Sequence, residues 1–337
     1  MTDAPRPAPS PLSSAALLEM AAYGDGLAAS PAGAAPYLVC RPERGLAAAE
    51  ADRIAAWLRE RPCPVVGLGG ADADPQILAA CDVALESEAA LPGLLGAIAA
   101  APLAAMVLAQ VLRVTEAMAV SEALVVESLA FATLQDGPEF RAWLARRPPM
   151  ALDADPGPPL RLERDGDRLL VLLDRPARRN AVDRRMRDAL VEALALALAD
   201  DSVAEVEITG AGRCFSIGGD LAEFGGTPDP ATAHMIRMLR SPALALARVA
   251  RKLTFRVHGV SIGAGVEFAG FGRRVTARAG ASFQLPEVSM GLIPGAGGCV
   301  SLPRRIGRQK TALLALSGRR INAATALAWG LVDAVEP

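Results

Sequence analysis

The sequence predicts an α/β fold with helices packed on sheets. Short apolar, strand-like runs alternate with longer stretches of helical periodicity. Glycine-rich turns follow several of those runs. The composition, 52% hydrophobic and 21% charged, suits a packed chain and argues against long disorder. A length of 337 residues allows one large domain or two modest ones. A net charge of −2 gives no broad electrostatic case for nucleic acid.

Taken in order, residues 1–36 are rich in Pro, Ser and Ala and read as a mobile tail without a secretory signal. In 37–87 the runs "YLVC", "PVVGLG" and "DVALES" flank the helical "AAAEADRIAAWLRE", a small βαβ-like unit. Residues 88–146 are helical throughout. Within them 90–113 carries no charge before Arg113, but Pro102 interrupts it, so buried helices divided at Pro102 are expected rather than a membrane span. Residues 147–159, Pro/Gly/Asp-rich, read as a linker.

From 160 onward, "LRLERDGDRLLVLLDRP" predicts two strands across a turn at Asp165–Gly166. "AVDRRMRDALVEALALALADD" predicts a long helix with Asp183 in its first turn. "VAEVEITG", "LTFRVHGVS", "VTARA" and "SFQLPE" predict strands, and "GVEFAGFGRR" a helix. "PRRIGRQKTALLALSG" and "NAATALAWG" predict two more. Residues 224–249 are expected to be mobile and to shape a pocket.

Five cysteines lie far apart, with no C-x-x-C pair, so neither a zinc site nor a disulfide framework is indicated; a reducing, cytoplasmic setting fits. "GVSIG" matches the hydrolase elbow G-x-S-x-G, but both histidines, His234 and His258, precede Ser261, which excludes that triad order. "GLGGAD" lacks dinucleotide spacing, and no H-E-x-x-H is present. Three glycine-rich turns remain: "FSIGGDL", "SIGAGVE" and "IPGAGG". Two such turns converging would present backbone N–H groups to a carbonyl that becomes an enolate. Glu267 and Glu287 each stand in apolar surroundings, which suits acid–base work, although a helix cap or a pairing with Arg273, Arg274 or Arg278 would also explain them.

"RPARRNAV", "FSIGGDL", "HGVSIGAGVEFA" and "LPEVSMGLIPGAGGCVSLPRRIG", followed by "SGRRINAATALAWGLVDAVEP", resemble the enoyl-CoA hydratase/isomerase (crotonase) superfamily from about 160 to 337. The resemblance implies a crotonase-like core, a spiral of ββα repeats. It implies that the N–H groups of Gly219 and Ala264 hold the thioester oxygen, that Glu267 and Glu287 are the acid/base pair, and that the N–H of Gly295 helps hold the reactive water. It places Arg179, Asn180, Ala181, Ile217 and Asp220 where the family binds coenzyme A. Two glutamates are the family's hydratase pattern, so syn hydration of a 2-enoyl-CoA is expected. Isomerisation, another reaction of the family, or acyl-CoA binding without catalysis are the alternatives. No cofactor and no metal are implied, coenzyme A being part of the substrate. The partners implied are an acyl-CoA thioester and further copies in a trimer or hexamer, with no membrane and no nucleic acid.

The chain departs from the family in carrying Ala264 where Gly is frequent and in ending at "GLVDAVEP", where members usually continue into helices. "IAAAP", "ESLAFATL" and "PEFRAWLARR", within 80–147, resemble phrases of that segment in the same order. The resemblance therefore suggests a circular permutant whose residues 88–146 supply the family's C-terminal helices.

Overall fold

The computed structural model describes residues 10–23, 30–31, 35–70, 72–148, 150 and 157–337. The first unit is a parallel sheet in the order β1 (Leu12–Ser13), β2 (Leu38–Arg41), β3 (Val65–Leu68), β4 (Val83–Leu85). Its helices are α1 (Ser14–Tyr23), α2 (Ala48–Arg59) and α3 (Pro75–Ala80). Both faces are covered, as a parallel sheet requires. Leu38, Cys40 and Val65 face Leu17, Ile54 and Leu58, while Val39, Val66 and Leu85 face the main core. Part of the expected tail is thus ordered, because Leu17 fills the gap over α2. Residues 1–9, 24–29 and 32–34 of that tail, and 149 and 151–156 of the expected linker, lie outside the described residues.

Four helices follow: α4 (Leu91–Ala100), α5 (Pro102–Thr115), α6 (Val120–Gln135) and α7 (Pro138–Ala145). The chain turns by 105° between the α4 region and α5, at the break before Pro102. Pro102 is the first residue of α5, where its missing N–H is no loss. Among the described residues no single helix is long and apolar enough to cross a membrane. The buried side chains of α4 and α5 join one hydrophobic core with those of 160–337.

The second half opens with β5 (Leu160–Asp165), β6 (Arg168–Leu173), α8 (Arg184–Ala199) and β7 (Glu205–Gly210). Next come α9 (Pro230–Leu239), α10 (Pro242–Val249), β8 (Leu253–Val257), β9 (Val260–Ile262) and α11 (Ala264–Ala269). The chain continues through β10 (Arg274–Arg278), β11 (Ser282–Gln284), α12 (Gly298–Ile306) and α13 (Arg308–Ser317). It finishes with β12 (Ile321–Asn322), α14 (Ala323–Trp329) and β13 (Ala334–Glu336). A six-stranded sheet runs β13-β10-β8-β7-β6-β5, parallel except for the β5/β6 hairpin. A smaller sheet runs β12-β11-β9. Two spiral turns place one strand in the large sheet, the next in the small one, then a helix: β8-β9-α11 and β10-β11-α12.

Local chemistry sets the boundaries. Asp183 is the cap of α8 rather than part of its first turn, its carboxylate accepting the N–H of Met186 at 2.8 Å. The helix expected over 265–274 is only α11, because Gly270 and Gly272 follow and Arg274 already belongs to β10. Residues 224–249 hold two helices, α9 and α10, both starting at a proline behind a capping Asp229 or Ser241.

One buried ion cluster joins the three parts of the chain. Asp82, 1% exposed, precedes β4 and accepts the N–H of Val65 at 2.8 Å. Its carboxylate also accepts both Nε and Nη2 of Arg113 from α5, the former at 2.8 Å, and Nη1 of Arg308 from α13 at 3.1 Å. Removing the carboxylate would strand two buried guanidinium groups. Asp82→Ala is expected to lower unfolding free energy by about 3–5 kcal/mol, read as a fall in denaturant midpoint at unchanged slope. A midpoint equal to the parent chain's would show that the cluster is not what joins the parts.

Candidate active site

Glu267 is positioned by a turn that only glycine accommodates. β9 ends at Ile262, and Gly263 takes φ +51° before α11 begins. A Cβ at Gly263 would also lie 2.6 Å from Oε1 of Glu287, so the glycine lets the second carboxylate approach. Every residue of α11 is buried, which explains the Gly/Ala-rich sequence around its single charge. Glu287 follows β11 at the start of a 3₁₀ turn over Glu287–Met290.

The five residues assigned to chemistry, Gly219, Ala264, Glu267, Glu287 and Gly295, line one cavity of about 220 Å³. Among the described residues, no acceptor is found for the N–H of Gly219 or Ala264. Gly219 is held by the bridge between Val182 and Gly219: Val182 donates to the Gly218 carbonyl at 2.8 Å, and Asp220 donates back to Val182 at 3.0 Å. Ala264 is the first residue of α11, where an unpaired N–H is normal. An alanine there supplies the same N–H as a glycine.

The two carboxylates differ. Oε2 of Glu267 accepts the N–H of Ala296 at 2.6 Å and of Gly298 at 2.8 Å. Burial pushes its carboxyl up to about 7, against the pull of those amides and of Arg237. Oε2 of Glu287 is buried and has no hydrogen-bond partner among the described residues. Burial first, then the charge of Glu267, holds Glu287 well above the usual carboxylate range. Glu267 is thus the more readily ionised of the pair, and Glu287 keeps its proton to higher pH.

Sequence reading had not singled out three further residues of this cavity. Glu127, on α6 and 2% exposed, accepts the N–H of Gly297 at 2.7 Å and of Cys299 at 2.8 Å. Burial, then the neighbouring Glu267, pushes its carboxyl up to about 8. Phe131, one turn on, packs where a Cβ at Gly295 would stand, 2.2 Å from the ring, so only glycine fits. Arg237, on α9, lies over the Phe131 ring with its guanidinium carbon 4.1 Å from the centroid, and donates to the Gly295 carbonyl. The signal for Glu127 was present: it shares the buried stripe of Ala123, Leu124 and Phe131, where a charge is out of place.

None of the five residues assigned to coenzyme A lines the cavity. Arg179, Asn180, Ala181 and Ile217 sit together beside it, Ile217 donating to the Arg179 carbonyl at 3.2 Å. Asn180, fully buried, is occupied in holding loops: Nδ2 donates to the carbonyls of Ala211, Cys214 and Phe215, and Oδ1 accepts from Arg175. The Asp220 carboxylate is paired with Arg178 at 2.9 Å and caps the N–H of Ala222. The arginines that do line the cavity are Arg184, Arg187, Arg237 and Arg240. His234 on α9 bonds Ser128 on α6 at 2.9 Å, one residue from Glu127, and His258 bonds the Gly212 carbonyl at 2.9 Å between two loops. Among the described residues no cluster of three His, Cys, Asp or Glu could hold a metal ion.

Comparison with known proteins bears on the second half of the chain. Over 171 residues it is 38% identical to the 2,3-dehydroadipyl-CoA hydratase of Escherichia coli strain K12, covering 50% of this chain and 66% of that one. It is 36% identical over 187 residues to a carnitinyl-CoA dehydratase of Salmonella arizonae, covering 52% and 67%. It is 33% identical over 168 residues to the 1,2-epoxyphenylacetyl-CoA isomerase of E. coli K12, covering 49% and 64%. The chain thus spans about two thirds or slightly less of these relatives. Among solved structures, the enoyl-CoA hydratase of Bacillus anthracis superposes with a TM-score of 0.50 at 28% identity, covering 53% of this chain and 70% of that one. The family model described as enoyl-CoA hydratase/isomerase matches residues 167–337, and the chain belongs to that family.

Proposed function

We propose that the chain hydrates a 2-enoyl-CoA thioester. The observation that carries the reading is the convergence, in one cavity, of two unpaired N–H groups with two unlike buried carboxylates. The thioester oxygen would accept from Gly219 and Ala264, which lowers the cost of enolate charge as it develops. Ionised Glu267 takes a proton from water, and the water oxygen bonds to the β-carbon. The electron pair moves onto the thioester oxygen as the enolate. Glu287, still protonated, delivers its proton to the α-carbon as the carbonyl re-forms. Addition is syn when both carboxylates work from one side. A proton then passes from Glu267 to Glu287 to restore the pair. Arg184 and Arg240, exposed at the cavity lining, supply positive charge for the anionic coenzyme A portion of the thioester.

We read the order of the chain as a circular permutation. α4–α7 precede the core, yet Leu124, Glu127, Ser128 and Phe131 of α6 line its cavity. Glu139 of α7 also caps α5, accepting the N–H groups of Leu103 and Ala104 at 2.7 and 3.0 Å. Phe140 and Trp143 pack against Phe224 of the core with rings tilted by 54° and centroids 6.3–6.4 Å apart.

Crotonyl-CoA hydration tests the function. Glu267→Gln and Glu287→Gln are each expected to lower kcat by about 10²–10⁴. A parent chain that binds acyl-CoA yet converts no 2-enoyl-CoA would exclude hydration, and shift of a double bond without water uptake would favour isomerisation. The pH profile has a fixed sign. As pH rises through about 7, Glu267 ionises and kcat/KM should increase. At higher pH Glu287 loses its proton and the rate should fall. A profile flat through neutral pH would contradict the assignment of base and acid.

A further inference from the structure

Four consecutive backbone N–H groups lead into α12, and two carboxylates divide them. Ala296 and Gly298 donate to Glu267, from α11. Gly297 and Cys299 donate to Glu127, from α6. Glu127 lies outside the region matched by the family model and reaches this turn across 170 residues of sequence. Nothing else among the described residues bonds the Gly297 or Cys299 N–H. The turn carries three glycines, Gly295, Gly297 and Gly298, with Gly297 at φ +101°, so little in its own backbone fixes its path.

We propose that Glu127 is a positioning residue for the acid–base chemistry: by clamping Gly297 and Cys299 it holds Ala296 and Gly298 against Oε2 of Glu267 and so orients the carboxylate. The proposal deepens the hydratase reading and rests on Glu267 being the base. The one-turn neighbour Phe131 acts in the same sense, filling the space beside Gly295. Other charged or titratable groups near Glu127 are Arg237 and His234 on α9, Cys299 on α12, and the pair Glu267 and Glu287. The Arg237 charge offsets that of the carboxylates, but among the described residues Arg237 forms no ion pair with any of them, so orientation falls to the amides.

Glu127→Gln keeps the shape but turns one acceptor into an NH₂, which meets an N–H donor head-on. The turn must shift, and Glu267 loses the amides that favour its ionised form. Expected are a fall in kcat of about 10- to 100-fold with KM within about threefold, and an acid limb moved to higher pH. A loss that merely reduces the folded fraction scales activity but leaves the acid limb in place. A folded Glu127→Gln protein with kcat within about twofold of the parent and an unmoved limb overturns the proposal. If Glu127→Gln loses its cooperative melt, Glu127→Asp, one methylene short, carries the same measurement. If the parent chain shows no turnover, the hydratase reading falls by itself. Carbon-13 titration of the Glu267 carboxyl in parent and variant then decides the positioning role: a midpoint moved up supports it, and an unmoved one overturns it.

Discussion

The structure depends on how the first amides of α12 are shared between two buried carboxylates. A buried N–H without a partner costs about 1–3 kcal/mol, and a buried carboxylate without donors costs more. Setting Glu127 and Glu267 on alternate amides resolves both demands at once. The arrangement joins α6, α11 and α12, and it explains why the turn is made of glycines: at Gly295 a Cβ would strike Phe131, and at Gly298 it would strike Glu267 itself. The same contacts leave Glu267 ionisable in a setting that would otherwise keep it neutral.

Around that centre the molecule repeats one device, a buried charge tying segments distant in sequence. Asp82 links the N-terminal sheet to α5 and α13. Arg178 and Asp220 hold the loop beside Gly219. Over a shorter separation, Arg175, 3% exposed, pairs with Asp183 at 2.8 Å and donates to the Ala181 carbonyl, holding the segment whose Val182 bridges Gly219. An unpaired member of any such cluster would be expensive, so each specifies one arrangement of the segments it joins.

Much of the core was legible because local rules suffice there. The alternation of β6, the Asp165–Gly166 turn and the helix break at Pro102 all leave a mark within a few residues. The residues that line the cavity were legible for a different reason: the glycine turns and the two glutamates sit in short motifs whose spacing survives in the primary sequence. Asn180 and Asp220 stand in a recognisable phrase, but their side chains are spent on neighbouring loops, which spacing does not reveal. Residues 10–23 looked like a tail because their few apolar residues have a partner only after α2 has packed.

The sequence by itself determined the α/β class, the glycine turns and the identity of the paired glutamates, since periodicity, backbone freedom and residue type are local properties. Only the tertiary structure decided that Glu127 and Arg237 belong to the site, and that the two glutamates stand in unlike surroundings. Burial, and the supply of N–H donors to each oxygen, depend on what other segments bring. A carboxylate oxygen that receives two amides and one that receives none read identically as Glu in the chain.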